Sequence, residues 1–145
     1  MFRHILLPID GSELSTRAAS TGIELAALAK ARVLVLHVIP PFQTVAFAGV
    51  LLTSTEYTYN EQAKANGARY LADAHAMAEA AGVSSEGEAI FSDQPADIII
   101  RIAGERDCDL IVMGSHGRRG MTRLLLGSET QKVLLGCGVP VLVCR

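Results

Sequence analysis

Two glycine pairs carry the strongest chemical signal in this sequence. Gly114-Ser115-His116-Gly117 places two glycines three positions apart, and nine residues separate Gly117 from Gly127-Ser128. Glycine lets a backbone turn tightly and lets a ligand approach with no Cβ in the way. Successive N–H groups in such a loop form a concave anion site. Gly127-Ser128 reads as a helix start, where unpaired N–H groups and the positive end of the helix dipole face the same anion. The Ser128 hydroxyl adds a further donor. For both pairs to hold one polyphosphate, the intervening residues must loop out and return. By chance the whole pattern arises in roughly one chain in a hundred of this length, so a plain loop with capping glycine and serine is the weaker reading.

A second place of interest is Asp10-Gly11-Ser12, directly after an apolar run. Asp10 is either a ligand-side acid, able to help hold a divalent ion, or a turn residue after a strand. One carboxylate is a poor metal cage, so Mg²⁺ would arrive with the phosphates and keep several waters. His116 lies where it can touch phosphate or ribose, but no partner acid stands near it for general-base work. Arg118, Arg119 and Arg123 fall inside the excursion; they either neutralise phosphate or form a solvated basic loop. His4, His37 and His75 read as packing or surface residues. No general acid–base pair, activating lysine or nucleophile with its base is legible, and the Walker pattern G-x-x-x-x-G-K-[ST] is absent. Binding is therefore the leading reading. A slow ATPase or nucleotide hydrolase using the same pocket is the alternative, and an interaction module whose pocket stays empty is a third.

These residues need a scaffold. Residues 4–9 form a short apolar run read as a buried strand. Ser12 is placed to N-cap a helix over 13–31, with Leu14, Ala18, Leu25, Leu28 and Ala29 on its apolar face. Residues 32–39 are a second strand stopped by Pro40-Pro41, and a long connection runs to about residue 53. Its apolar part, 42–52, reads as a lid near the base, as a surface packed against a partner, or equally as core. Helical spacing continues over 54–81 and stops at Gly82. Residues 84–91 read as an edge strand, and Pro95 suits the first position of a helix that turns Ile98, Ile99, Ile102 and Ala103 inward. Residues 109–114 and 139–144 are strands, and the last helix runs from Gly127-Ser128 to Gly136. Such alternation predicts an α/β fold, with a mostly parallel sheet and helices on both faces. Ligands in such sheets bind beyond the carboxyl ends of the strands, where both glycine clusters fall. A dinucleotide fold would need G-x-G-x-x-G after the first strand, and a receiver domain a cluster of acids; neither is present.

These motifs together resemble the universal stress protein family, in its ATP-binding subgroup. The resemblance covers essentially the whole chain. It rests on Ile5-Leu6-Leu7-Pro8-Ile9-Asp10-Gly11-Ser12, the long second helix, Asp109 through Gly117, Gly127-Ser128 and Val139-Pro140-Val141-Leu142-Val143, with the signature G-2x-G-9x-G-(S/T) complete. It implies a three-layer α/β/α domain over residues 1–145, with a five-stranded parallel sheet of order 3-2-1-4-5. This is the Rossmann-like, adenine nucleotide alpha hydrolase-like arrangement. It also implies that Pro8, Ile9 and Asp10 line the nucleotide and that Val38 lies against the adenine. Met113, Gly114, His116 and Gly117 would cover ribose and phosphates, and Gly127, Ser128, Glu129 and Thr130 would close on the phosphate tail. Position 129 departs from the family, where a small apolar residue is common. Glu129 is expected to point outward and to offer only its N–H. The implied ligand is ATP or another adenine nucleotide, with Mg²⁺ through the phosphates. The implied assembly is a homodimer through the edge strand 139–144, in a stress-response role.

Bulk composition agrees. The chain has 145 residues, half of them hydrophobic, enough for one domain with a sizeable core. A net charge of −2 gives no general affinity for nucleic acid or an anionic membrane. No signal peptide or membrane span is read. Cys108, Cys137 and Cys144 show no C-x-x-C spacing, so reduced thiols and a cytoplasmic location are expected.

Overall fold

A computed structural model describes residues 1–47, 49, 55–117 and 125–145. Five strands form it: β1 (His4–Ile9), β2 (Arg32–Ile39), β3 (Ser85–Phe91), β4 (Leu110–Gly114) and β5 (Val141–Cys144). All pairs are parallel and the order is β3-β2-β1-β4-β5, as the resemblance implies. The helices are α1 (Glu13–Ala29), α2 (Phe42–Phe47), α3 (Glu56–Ala80), α4 (Pro95–Glu105) and α5 (Ser128–Gly136).

Alternation along each strand divides the core into two layers. Ile5, Leu7, Val33, Val35 and Val112 face α1 and α3, meeting Ala19, Ile23, Ala26, Ala74 and Ala78. Leu6, Leu34, Leu36, Ile111 and Met113 face the other side, against Ile99, Ile102 and Ala103 of α4 and Val133 of α5. Each fully buried Leu, Ile or Val in these layers contributes roughly 1.5–3 kcal/mol. The small residues on α1 and α3 let those helices lie close to the sheet.

Several element ends follow from local chemistry. Ser12 caps α1, its hydroxyl accepting from Ser15 N–H. Lys30 closes the helix in the left-handed region at φ 55°. The buried face of α1 runs through Leu14, Ala18, Gly22, Ile23 and Ala26, and Leu28 is 84% exposed. Thr55 caps α3 by accepting from Thr58 N–H, and Gly82 follows that helix at φ 68°. Pro95 occupies the first turn of α4.

The connection after β2 is partly helical. In α2, Val45 is buried and Phe42 packs its ring on Tyr59 of α3, so this half of the apolar stretch is packed inward. Phe47 is 96% exposed. Residues 48 and 50–54, the rest of the expected lid, lie outside the described residues.

β5 begins two residues later than the hydrophobic run, at Val141. Pro140 has no N–H to give the ladder, though its carbonyl accepts from Ile111 N–H at 2.9 Å. β3 is an edge strand with two uses of its faces. Gly87 packs on Leu71 of α3, while Glu86 and Glu88 reach Arg106.

Candidate functional site

β1 and β4 are neighbours at the point where strand order reverses, and their pairing is short. The β1–β2 register runs to Ile9↔His37, but β1 and β4 are paired only at Ile5↔Leu110 and Leu6↔Ile111. Pro8 lies beyond the last pair and has no donor to extend it. The ladder therefore stops short of both carboxyl ends, and the ligand crevice expected beyond them falls beside Asp10 and Gly114.

Asp10 forms the turn at one wall. Its Oδ1 accepts from Ser12 N–H at 2.9 Å, and its own N–H donates to Ser15 Oγ at 3.3 Å. Its Oδ2 faces Gly117: a Cβ at that glycine would stand 2.8 Å from the carboxylate oxygen. Asp10 is thus a turn residue and, at the same time, a wall of the glycine loop.

The second glycine pair closes on the first. Gly127 N–H donates to Ser115 O at 2.7 Å. A Cβ on Gly127 would meet His116 Cα at 3.0 Å and Ser115 O at 3.1 Å. Backbone lies against backbone here, so any side chain at this position would force its neighbours to give way. Gly114 is equally confined, its missing Cβ pointing at Leu14 Cγ (3.1 Å) and His116 O (3.3 Å). The two ends of the excursion therefore lie close together: Gly127 meets Ser115 and His116, Gly114 meets His116, and Gly117 meets Asp10. Arg118, Arg119 and Arg123 lie outside the described residues.

At the start of α5, Gly127 is the N-cap at φ −60° and ψ 150°, and no side chain among the described residues bonds there. The first N–H groups of that helix, at Ser128 and Glu129, are the kind of donors a helix leaves for an anion. Glu129 turns its side chain onto α4 and not simply outward. Its Oε2 accepts from Ala96 N–H of α4 at 3.0 Å, and its Oε1 meets Lys132 Nζ at 3.0 Å. Thr130 is 3% exposed and its hydroxyl donates to Gly114 O at 3.0 Å. Its side chain clamps α5 to the end of β4 instead of reaching the crevice.

The remaining expected residues differ in accessibility. Ile9 and Met113 are buried in the two core layers. Pro8, Val38 and His116 are half-buried, and Ser128 is exposed. His116 Nδ1 lies 3.2 Å from Ser115 Oγ.

Two further residues, Tyr70 and His37, shape the site without any local sequence signal, bracing the turn at Gly11. Gly11 stands at φ 79°, and a Cβ there would lie 2.3 Å from Tyr70 Cζ, so the α3 ring is seated on the turn itself. His37 Nδ1 is 2.9 Å from Ile9 O; a carbonyl only accepts, so Nδ1 carries the hydrogen. The His37 and Tyr70 rings meet edge to face, with centroids 5.2 Å apart. Together they brace the end of β1 from the α3 side. The Asp-Gly-Ser turn was legible in the sequence; its brace comes from residues far along the chain.

Elsewhere, His4 is buried with Nδ1 2.9 Å from Arg106 O. Burial lowers its pKa; the bond to Arg106 O opposes this, and the Arg32 and Arg106 charges add to the lowering. Burial pushes the Cys108 thiol up to about 11, which keeps it protonated and inert. Among the described residues no cluster of three or more His, Cys, Asp or Glu could hold a metal, and no helix is long and apolar enough to cross a membrane.

The fold recurs in known proteins. The family model described as the universal stress protein family matches residues 1–145. The universal stress protein MJ0531 of Methanocaldococcus jannaschii is 32% identical over 145 residues, spanning 100% of this chain and 83% of that protein. The solved structure of MJ0577, from the same organism, is 26% identical and matches with a TM-score of 0.83 over 99% of this chain and 96% of that one. A universal stress protein crystallised in complex with cAMP shares the fold at 21% identity and a TM-score of 0.74, over 99% of this chain and 97% of that one. With the family model matching the whole chain, a relative 32% identical along the chain's full length and the fold shared, this chain belongs to the universal stress protein family.

Proposed function

We propose that residues 1–145 act as one nucleotide-binding domain that takes ATP between the carboxyl ends of β1 and β4 and serves as a regulator in the cytoplasm. The observation that carries this reading is the closure of the loop: Gly127 N–H on Ser115 O, with Gly117 against Asp10. It sets residues of both glycine pairs close together beside the start of α5, which supports a shared ligand. The cAMP complex of a protein with this fold adds support for an adenine ligand.

In this reading the Ser128 and Glu129 N–H groups and the Ser128 hydroxyl hold the phosphate tail. Pro8, Ile9, Val38 and Met113 form the apolar wall for the base. His116 and the backbone of Gly114 and Gly117 lie along ribose and phosphates. Asp10 Oδ2 stands where it can meet the ribose or a Mg²⁺ carried by the phosphates. Glu129 and Thr130 act through their backbone, because their side chains are engaged elsewhere. ATP occupancy changes the surface that this end of the sheet offers to a partner.

Calorimetric titration with ATP, ADP and cAMP, with and without Mg²⁺, tests the reading. Saturable ATP binding that is lost in Gly127→Val is the expected result. The valine side chain in that variant would collide with Ser115 O and His116 Cα. Absence of affinity for every adenine nucleotide, in solution and by mass analysis of molecules carried through purification, would overturn it. Phosphate release above background that disappears in Asp10→Asn would replace the regulator with a slow ATPase.

A further inference from the structure

The start of α4 is capped from outside its own sequence. Pro95 has no N–H, and Gln94 makes no side-chain cap bond. Ala96 is therefore the first backbone donor of the helix, and the residue is 1% exposed. An orphan N–H in so buried a place is costly. Glu129 Oε2 accepts it at 3.0 Å across 33 positions of sequence, while Oε1 meets Lys132 Nζ at 3.0 Å. Both carboxylate oxygens are thus engaged, one by α4 and one by the next turn of α5.

The consequence falls on α5. Gly127 N–H ties its start to Ser115 O, Thr130 Oγ1 ties it to Gly114 O, and Glu129 ties it to α4. The first two bonds both run to the β4 end. The third comes from a different element: it fixes the first turn to the start of α4, while Val133 and Gly136 pack the later turns against that helix. It also draws a negative side chain sideways, away from the first-turn N–H groups.

We propose that Glu129 is a positioning residue for the phosphate site, fixing the first turn of α5 by capping α4. This rests on the reading that the α5 start holds the phosphate tail. A site whose donors are held in place by a supporting contact loses affinity when that contact is removed, even if no ligand-touching group changes.

The test compares ATP with adenosine, which has no phosphate, on the full chain. Wild type, Glu129→Ala, Glu129→Gln and Glu129→Asp are titrated with each by calorimetry. Glu129→Ala should weaken ATP binding roughly five- to tenfold, the size of effect that loss of a helix cap produces, and leave adenosine unchanged. Glu129→Gln keeps an oxygen for Ala96 N–H and should restore ATP affinity to near wild type. Glu129→Asp keeps the charge but is too short to reach Ala96, so it should behave like Glu129→Ala. It supplies the same comparison if the alanine variant does not fold. Amide exchange at Ala96 should quicken in the Asp and Ala variants and not in Gln. Unchanged ATP affinity in the short variants would overturn the proposal, as would equal loss of ATP and adenosine. Tighter ATP binding in both Ala and Gln would show instead that the charge merely repels the ligand. A wild-type protein with no adenine-nucleotide affinity sinks the nucleotide reading, and the positioning role with it. Normal wild-type binding with an indifferent Glu129→Asp sinks the positioning role alone.

Discussion

Asp10 divides its carboxylate between a turn and the glycine loop, so the site tolerates little added bulk beside it. In Gly117→Ala the new methyl would stand 2.8 Å from Asp10 Oδ2. The carboxylate would have to move, and the expected result is at least a tenfold loss of nucleotide affinity with fold stability little changed; titration beside a melting curve measures both. Gly11→Ala should act differently. It places a side chain at φ 79° and against the Tyr70 ring. The strained backbone alone costs about 1–3 kcal/mol, so stability in a denaturant titration should fall. Asp10, Gly114, Gly117 and Gly127 were legible in the sequence because the motif is made of short, local patterns. Tyr70 and His37 were not. Their role depends on which face α3 presents to a turn remote along the chain, and residue type alone carries no trace of that.

At the scale of elements, α5 is held by side chains that the motif alone would assign to the ligand. Thr130 is the plainest case. Thr130→Val keeps the shape but removes the donor to Gly114 O. The expected loss of stability is about 1–3 kcal/mol, read by chemical denaturation, with a weaker nucleotide site as a secondary effect. A Thr130→Val variant as stable as wild type would show that the clamp contributes nothing. Strands β1 and β2 were bounded correctly from sequence because continuous apolar runs end at Asp10 and at Pro40. Helix α1 was less legible: Leu25, Leu28 and Ala29 look as apolar as the true core face, yet Leu28 is 84% exposed. The sheet accepts small residues at Ala19, Gly22 and Ala26, and these set the rotation of the helix. Size at the contact, more than hydrophobicity, decides which face is buried.

For the whole molecule, two predictions concern surface and pH. β5 is a sheet edge, with Leu142 38% exposed and Leu135 of the adjoining α5 89% exposed. An apolar edge of this kind pairs readily with another chain. We expect a two-fold dimer through β5, converted to monomer by Leu142→Lys in sedimentation experiments. A wild-type monomer at micromolar concentration would rule it out. Acid stability should first decline through His4. Its native pKa lies below the ordinary 6.5, so below that pH the unfolded chain binds a proton that the native chain refuses. Stability should therefore fall as pH drops below about 6.5. That part of the slope should vanish in His4→Gln. Asp109 adds a later step. Burial works to raise its pKa, but bonds from the His4 and Arg3 N–H groups outweigh it and hold the group low. Its stabilising share is present above about pH 4 and is lost as pH falls through the lowered native value.

Sequence by itself determined the α/β class, the identity of most strands, the family and the two glycine pairs, because each rests on composition or on spacing within one stretch of chain. Tertiary structure alone decided how the crevice is built: the short β1–β4 ladder that ends before Pro8, the Tyr70 and His37 brace, the Thr130 clamp and the Glu129 cap on α4. Those depend on distances between segments remote along the chain, and such distances are set only once the two core layers have packed.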